Sequence, residues 1–294
     1  MTGRRVLVTG ASSGIGRAAA HRLAAEGARL VLASRSRETL EEVARECTAR
    51  GAEETLVVAT DVGDGAAVES LFDQAVERFG GLDAVVNSAA VVAYGRFHDV
   101  PPEVYDTVVR TNLTGAANVA RCALRLFEPA GGGSLVLVGS VVAKIATPTM
   151  SSYVSSKAGV YGLARTLQLE ARRIPGVSVS LVSPGSVDTP IYDQAATYTG
   201  RGGNPPPPVT TPEKVAERVV RAIDHPQRDD NVGLGNAVMV AGFHLLPPVF
   251  DLLVGGLMSV LGQGRSKVQD SSGNVLAPRP DGEAVRGRWP HPWG

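Results

Sequence analysis

A chain of 294 residues, 44% hydrophobic and 20% charged, has an ordinary globular composition and room for one large α/β domain or two small ones. Its 29 Lys and Arg balance 29 Asp and Glu, so no global field draws in nucleic acid or an anionic membrane surface. Any anion binding has to be local.

Met1-Thr2-Gly3-Arg4-Arg5 runs straight into an apolar stretch with no h-region or cleavage site of a signal peptide, which makes the cytoplasm the expected location. Residues 4–9 form a short β-branched-rich run ending in glycine, the pattern of a central strand in a buried parallel sheet. Gly10-Ala11-Ser12-Ser13-Gly14-Ile15-Gly16 follows, then an alanine-rich helix to Glu26 with Gly27 as its C-cap. Strand, glycine turn and helix in this order are the context of a dinucleotide fingerprint. The spacing is T-G-x-x-x-G-x-G, not G-x-G-x-x-G. The physics is shared: no Cβ where backbone nears phosphate, and free amides at a helix N-terminus.

A second strand over 29–33 leads to Ser34-Arg35-Ser36-Arg37 and a helix with Leu40, Val43 and Cys47 on one stripe. An acidic residue at the end of this strand would hold the adenosine ribose hydroxyls and mean NAD, whereas an arginine accommodates a 2′-phosphate. Ser34 and Arg35, with Arg17 as a second cation, therefore favour NADP(H) over NAD(H). Cys47 and Cys122 both sit in apolar helical patterns, which suits core thiols in a reducing compartment; one pairing between them stays open.

A third strand over 56–59 precedes Asp61-Val62, and a helix carries Val68, Leu71, Phe72, Ala75, Val76 and Phe79 before Gly80-Gly81 stops it. A fourth strand over 82–86 ends in Asn87-Ser88-Ala89-Ala90, small residues where a cofactor or substrate passes close. Alternating strands and helices of these lengths predict an α/β, doubly wound parallel sheet with right-handed crossovers and ligands beyond the carboxyl ends of the strands. Pro101-Pro102 opens a long helix that Thr111-Asn112-Leu113-Thr114-Gly115 interrupts, and a mid-helix Asn wants a reason. Strands over 134–138 and 177–182 run into Gly139-Ser140 and Ser183-Pro184-Gly185. Between them a helix opens with Tyr153 and Lys157, four apart and so on one face.

Thr9-Gly10-Ala11-Ser12-Ser13-Gly14-Ile15-Gly16, Asp61-Val62, Asn112, Ser140, Tyr153-x-x-x-Lys157 and Pro184-Gly185-x-x-x-Thr189 resemble the short-chain dehydrogenase/reductase family in order and spacing, over residues 3–190. The resemblance implies a Rossmann-type single domain, a nicotinamide cofactor, catalysis by Asn112, Ser140, Tyr153 and Lys157, and a homodimer or homotetramer. It implies that the cofactor is held by Gly10, Ser12, Ser13, Gly14, Ile15 and Gly16, by Ser34 and Arg35, by Asp61 and Val62 at the adenine, by Asn87 and Ala89, by Tyr153 and Lys157, and by Pro184, Gly185, Val187 and Thr189 toward the nicotinamide. One departure is Asn87-Ser88-Ala89-Ala90, where the family usually reads Asn-Asn-Ala-Gly.

The chemistry follows from residue types. Passing hydride to a carbonyl requires a proton for the developing alkoxide, and Tyr153 is the candidate acid. A free phenol near pKa 10 suits neutral pH poorly; the Lys157 ammonium and an oxidised nicotinamide would lower it. Ser140 would orient the substrate oxygen, and Asn112 would hold a water linking Lys157 to solvent. His21, His98, His225, His244 and His291 show no metal-ligand spacing, so no metal is expected.

These motifs place an oxidoreductase domain at 1–241, with a Gly/Pro-rich lid loop at about 190–211. A helix opens at Thr211-Pro212-Glu213, and a last strand is expected over 231–241. An apolar helical extension follows at 242–262. Pro247-Pro248 and Asp251 interrupt it, leaving about half of the ~20 residues a membrane span needs. Its readings are a helix covering the substrate pocket or a subunit interface, or an interfacial attachment that would make the protein peripheral to a membrane. Residues 263–294, with Trp289 and Trp293, read as an irregular tail draped on a partner subunit. The leading function is an NADP-dependent ketone/alcohol oxidoreductase. Its competitors are a membrane-surface reductase of a lipophilic substrate and a non-catalytic NADP-binding sensor.

Overall fold

The computed structural model describes residues 3–233 and 235–290, so His291 and Trp293 lie outside the described residues. Seven parallel strands form the central sheet: β1 (Arg5–Thr9), β2 (Arg29–Ser34), β3 (Glu54–Ala59), β4 (Ala84–Asn87), β5 (Gly133–Val138), β6 (Val177–Pro184) and β7 (Asp230–Val232). Their spatial order is β7-β6-β5-β4-β1-β2-β3. The chain winds outward from β1 in one direction through β2 and β3, then returns to β4 and winds the other way. The strand order therefore reverses between β1 and β4, where Thr9 is in register with Asn87, and the crevice at that switch point is where such sheets bind ligands.

Helices cover both faces, which is why the central strands read as continuous apolar runs rather than alternating ones. On one face α1 (Gly14–Ala25), α2 (Arg37–Ala49) and α7 (Pro212–Asp224) bury Leu23, Leu40, Val43 and Val219 against Val6, Val8, Leu30 and Leu32. On the other, α3 (Gly65–Phe79), α5 (Gly115–Ala130) and α6 (Ser151–Ala171) bury Leu71, Val119, Phe127 and Ala164 against Leu7, Val85 and Leu135. Full burial of each large apolar side chain contributes about 1.5–3 kcal/mol. Local signals set the ends. Asp64 caps α3 by accepting from the Ala66 and Ala67 amides at 2.9 and 3.2 Å, and Gly80 ends it in the left-handed region at φ 75°. Cys47 and Cys122 are both free thiols.

The interruption after α4 (Pro102–Val109) is a single π turn, Arg110–Thr114, so the helix continues into α5 with one widened turn. The strand expected over 231–241 is cut short at Val232. β7 has three residues, Gly233 and Gly235 take φ of 138° and 84°, and α8 (Asn236–Leu245) begins at once, with Asn236 Nδ2 donating to the Val232 carbonyl at 3.1 Å. Two glycines in conformations that L side chains rarely adopt end the strand before its apolar residues can extend it. α9 (Pro247–Leu261) folds back beside α8. No helix among the described residues is long and apolar enough to cross a membrane.

The Gly/Pro-rich loop is extended and tied down. Ala196–Thr197 pairs with Ala93–Tyr94, Val209–Thr210 with Ser186–Val187, and Arg201–Gly203 antiparallel with Gln263–Lys267. The tail beyond is irregular, as its composition implies, but it lies on its own chain. Thr197 and Ser271 exchange backbone hydrogen bonds, and Val275 is buried with Val91, Val100 and Val104.

Candidate active site

The glycine turn leaves β1 at its carboxyl end and feeds α1. Gly10 takes φ 66°, and a Cβ there would lie 2.7 Å from the Ala89 amide nitrogen at the end of β4. A Cβ on Gly16 would lie 2.1 Å from the Gly10 carbonyl oxygen, so the first turn of α1 closes directly on the loop. The result is a cradle of backbone with hydroxyls from Ser12 and Ser13 at the positive end of a 12-residue helix with no acidic residue in its first turn. Its shape and donors fit the pyrophosphate of a dinucleotide.

That cradle opens into a cavity at the sheet's switch point. Gly10, Ser12, Ser13, Gly14, Ser34, Arg35, Asp61, Val62, Ala89 and Thr189 line it. Ten of the expected site residues are not in its lining: Ile15, Gly16, Asn87, Asn112, Ser140, Tyr153, Lys157, Pro184, Gly185 and Val187. Asn87 accepts from the Thr9 hydroxyl at 2.8 Å, and Gly185 packs under Asn236; Ile15, Gly16, Pro184 and Val187 support the loops behind the wall. The lining also includes Thr60, Ser88, Ala90, Val91, Thr111, Ile191 and Gln194, and, from the tail, Asn274, Pro278 and Glu283. The neighbours of the motifs could have been found from adjacency. The tail residues carry no motif, and only the fold brings them here.

Arg35 reaches the cavity, but Arg17, the other cation expected to meet a phosphate, does not. Arg17 is buried and hydrogen-bonds Glu42 and Glu46 of α2, which holds α1 to α2. Its spacing after the turn places it on the helix face turned away from the cavity.

Outside the cavity lining, β5 is followed by Ser140 and α6 carries Tyr153 and Lys157; Tyr153 packs in one cluster with Ile191, which lines the cavity. The Ser140 hydroxyl accepts from the Val142 amide at 3.3 Å and is hydrogen-bonded to the Tyr153 phenol. Lys157 Nζ lies 5.7 Å from the Tyr153 ring centre and donates to the Val138 carbonyl at 3.0 Å. Burial brings the Lys157 ammonium down to about 8. The Tyr153 phenol moves the opposite way from the expected depression. Burial raises its pKa, nearby Tyr192 adds to the rise, and the Ser140 hydrogen bond offsets part of it. Desolvation of a phenolate outweighs a lysine whose own charge is already disfavoured.

Asn112 bonds to protein groups through both side-chain atoms. On the π turn its Oδ1 accepts from the Val91 amide at 2.9 Å, while Nδ2 donates to the Val91 carbonyl at 2.9 Å and to Ser156 Oγ at 3.0 Å. Both amide hydrogens are used. The side chain is a clamp between the segment after β4 and the Tyr153 helix.

An apolar wall faces the Tyr153 corner. Val92, Tyr94, Met150, Ala195 and Met258 form a buried cluster against which Tyr153, Ile191, Tyr192 and Val254 pack. Val254 and Met258 come from α9, so one face of the extension packs into this cluster. Tyr192 is held by hydrogen bonds to Val187 backbone and Ser186, and burial pushes its phenol up to about 12.

Comparisons with known proteins bear on the family and the fold. The family model described as short chain dehydrogenase matches residues 4–198. An uncharacterized oxidoreductase, YxnA, of Bacillus subtilis is 33% identical over 257 residues, covering 86% of this chain and 72% of its own. A short-chain dehydrogenase/reductase of Burkholderia phymatum, solved with NAD, superposes with a TM-score of 0.76 at 27% identity over 84% of this chain and 95% of that one. An alcohol dehydrogenase of Thermococcus sibiricus, solved with 5-hydroxy-NADP, gives 0.67 at 29% identity over 78% and 94%.

Proposed function

The chain belongs to the short-chain dehydrogenase/reductase family, and from that premise we propose that it moves a hydride between NADP(H) and a ketone or secondary alcohol, with Tyr153 as general acid/base. The observation that carries this reading is the convergence of Ser140, Tyr153 and Lys157, with Tyr153 packed in one cluster with Ile191, a residue of the cavity that the glycine turn lines. When bound, the nicotinamide supplies or accepts the hydride. Tyr153, protonated at neutral pH because burial raises its pKa, gives its proton to the substrate oxygen. The Ser140 hydroxyl beside it orients that oxygen and stabilises charge developing on it. Lys157 has one donor on Val138 and two left for a ribose hydroxyl. Tyr153→Phe should abolish turnover of ketones while NADPH still binds; near-normal turnover removes this mechanism.

The similar solved structures carry NAD in one case and an NADP derivative in another. The preference for NADP(H) therefore rests on this chain's own residues, with Arg35 and Ser34 where β2 meets the cavity and no carboxylate at that strand end.

A second reading, reduction of a lipophilic substrate at a membrane surface, is favoured by one feature. α8 and α9 expose Val238 (76%), Leu245 (77%) and Leu252 (81%), while Val254 and Met258 of α9 pack in one cluster with Tyr153. Sedimentation with vesicles that is lost on deleting residues 243–262 would support it; a protein that stays in the supernatant would not.

A further inference from the structure

The tail does more than pass near the cavity. The Ala284 carbonyl accepts from the Gly14 amide at 2.8 Å and from Ser13 Oγ at 3.3 Å. Glu283 Oε1 accepts from Ser12 Oγ at 3.0 Å. At the far end of the cavity both terminal nitrogens of Arg35 donate to tail carbonyls, Nη2 to Asn274 at 2.6 Å and Nη1 to Val275 at 3.0 Å. These donors are the ones suited to a pyrophosphate and a 2′-phosphate, and an acceptor from the tail faces each of them.

We propose that residues 274–287 are an intramolecular competitor of the cofactor, with the Glu283 carboxylate standing where phosphate charge would sit. This rests on the reading of the cavity as the cofactor site. An anion beside the N-terminus of α1 is favoured whether it is a carboxylate or a phosphate, but two anions cannot share the place. The cavity left beside the docked tail is about 130 Å³, below the roughly 300–1,000 Å³ of sites that hold drug-sized ligands.

Docking carries a cost that leaves it reversible. Glu283 Oε2 is buried without a hydrogen-bond partner, a penalty that lifting the segment relieves. Anchors on either side let it lift without losing its place: Gln263–Lys267 pairs with Arg201–Gly203, and the Trp289 amide donates to Asp188 Oδ1 at 3.0 Å. A cofactor that binds only the undocked state has its apparent Kd weakened by the fraction docked.

The test uses the full chain and two variants, Glu283→Gln, which removes the charge and keeps the shape, and Val275→Asp, which undoes the buried anchor. Calorimetric titration with NADP+ and NAD+ is combined with hydrogen exchange of the 274–287 peptides. Either variant should bind NADP+ about fivefold more tightly or better, and saturating NADP+ should speed exchange of that segment in the parent chain. Should Val275→Asp not fold, Glu283→Gln and the exchange measurement still decide. Slower exchange with NADP+, or weaker binding by Glu283→Gln, would make the tail a strap over bound cofactor and overturn the proposal. Unchanged Kd and exchange would overturn it as well. Absence of binding of either nucleotide to all three proteins would instead remove the cofactor reading on which it rests.

Discussion

Lys157 Nζ donates to the carbonyl oxygen of Val138 at 3.0 Å, tying the second turn of α6 to the last residue of β5. The lysine is 4% exposed, and burial lowers its pKa from 10.5 to about 8. Between those values the unfolded chain holds a proton that the folded chain has lost, so this group's contribution to stability rises with pH across that window. Below about pH 8 both states are protonated and the burial cost is full, roughly 3 kcal/mol by the pKa difference. Lys157→Met should therefore be the more stable chain below pH 8, by about 2 kcal/mol once the lost hydrogen bond is counted. The difference should shrink toward pH 10.5. Urea unfolding of both proteins across this range checks it; a gap independent of pH would contradict the burial.

The same titration sets a limit on activity. kcat/KM reports ionisations of the free enzyme, so for ketone reduction it should fall as pH rises past about 8 and Lys157 loses its charge. A profile flat to pH 10 would show that the charge is not needed.

Asn112 satisfies both backbone groups of Val91 and bonds Ser156. Asn112→Ala leaves a buried N–H and C=O unpaired and should cost about 2–6 kcal/mol, since each such group costs about 1–3 kcal/mol. Denaturant midpoints would register it. A loss of turnover with unchanged stability would instead point to a direct part in proton movement.

Gly16 has no room for a side chain, because the nearest atom is the Gly10 backbone oxygen and cannot swing aside. Gly16→Val should destabilise by about 3 kcal/mol or more and should lose nucleotide binding with it. Thermal unfolding with and without NADP+ tests both parts; a wild-type Tm would mean that the turn is built otherwise.

Arg35 is the cation at the cavity end of β2. Arg35→Asp removes its charge-assisted donors to a 2′-phosphate and adds an acceptor for ribose hydroxyls. The ratio of kcat/KM for NADPH over NADH should drop by roughly 10- to 100-fold, at about 1.4 kcal/mol per tenfold. An unchanged ratio would show that another group reads the phosphate.

What could be read without the fold is what local physics writes into local sequence. Apolar runs buried on both faces announced the parallel strands, and the glycines of 10–16 announced a turn against which no Cβ fits. The four-residue spacing put Tyr153 and Lys157 on one face of α6. Four things belonged to the tertiary structure alone. The sign of the Tyr153 shift depends on how much water the packing of Tyr94, Met150 and Tyr192 removes, and Asn112 took its role from Val91, which lies 21 residues earlier. The strand expected over 231–241 gave way to a helix because two glycines close the sheet edge. The last is the tail, whose contacts with Ser12, Gly14 and Arg35 bridge more than 200 residues of sequence. No periodicity or motif records a contact of that range; it exists because β1 and β2 end side by side and the chain's last segment returns across both.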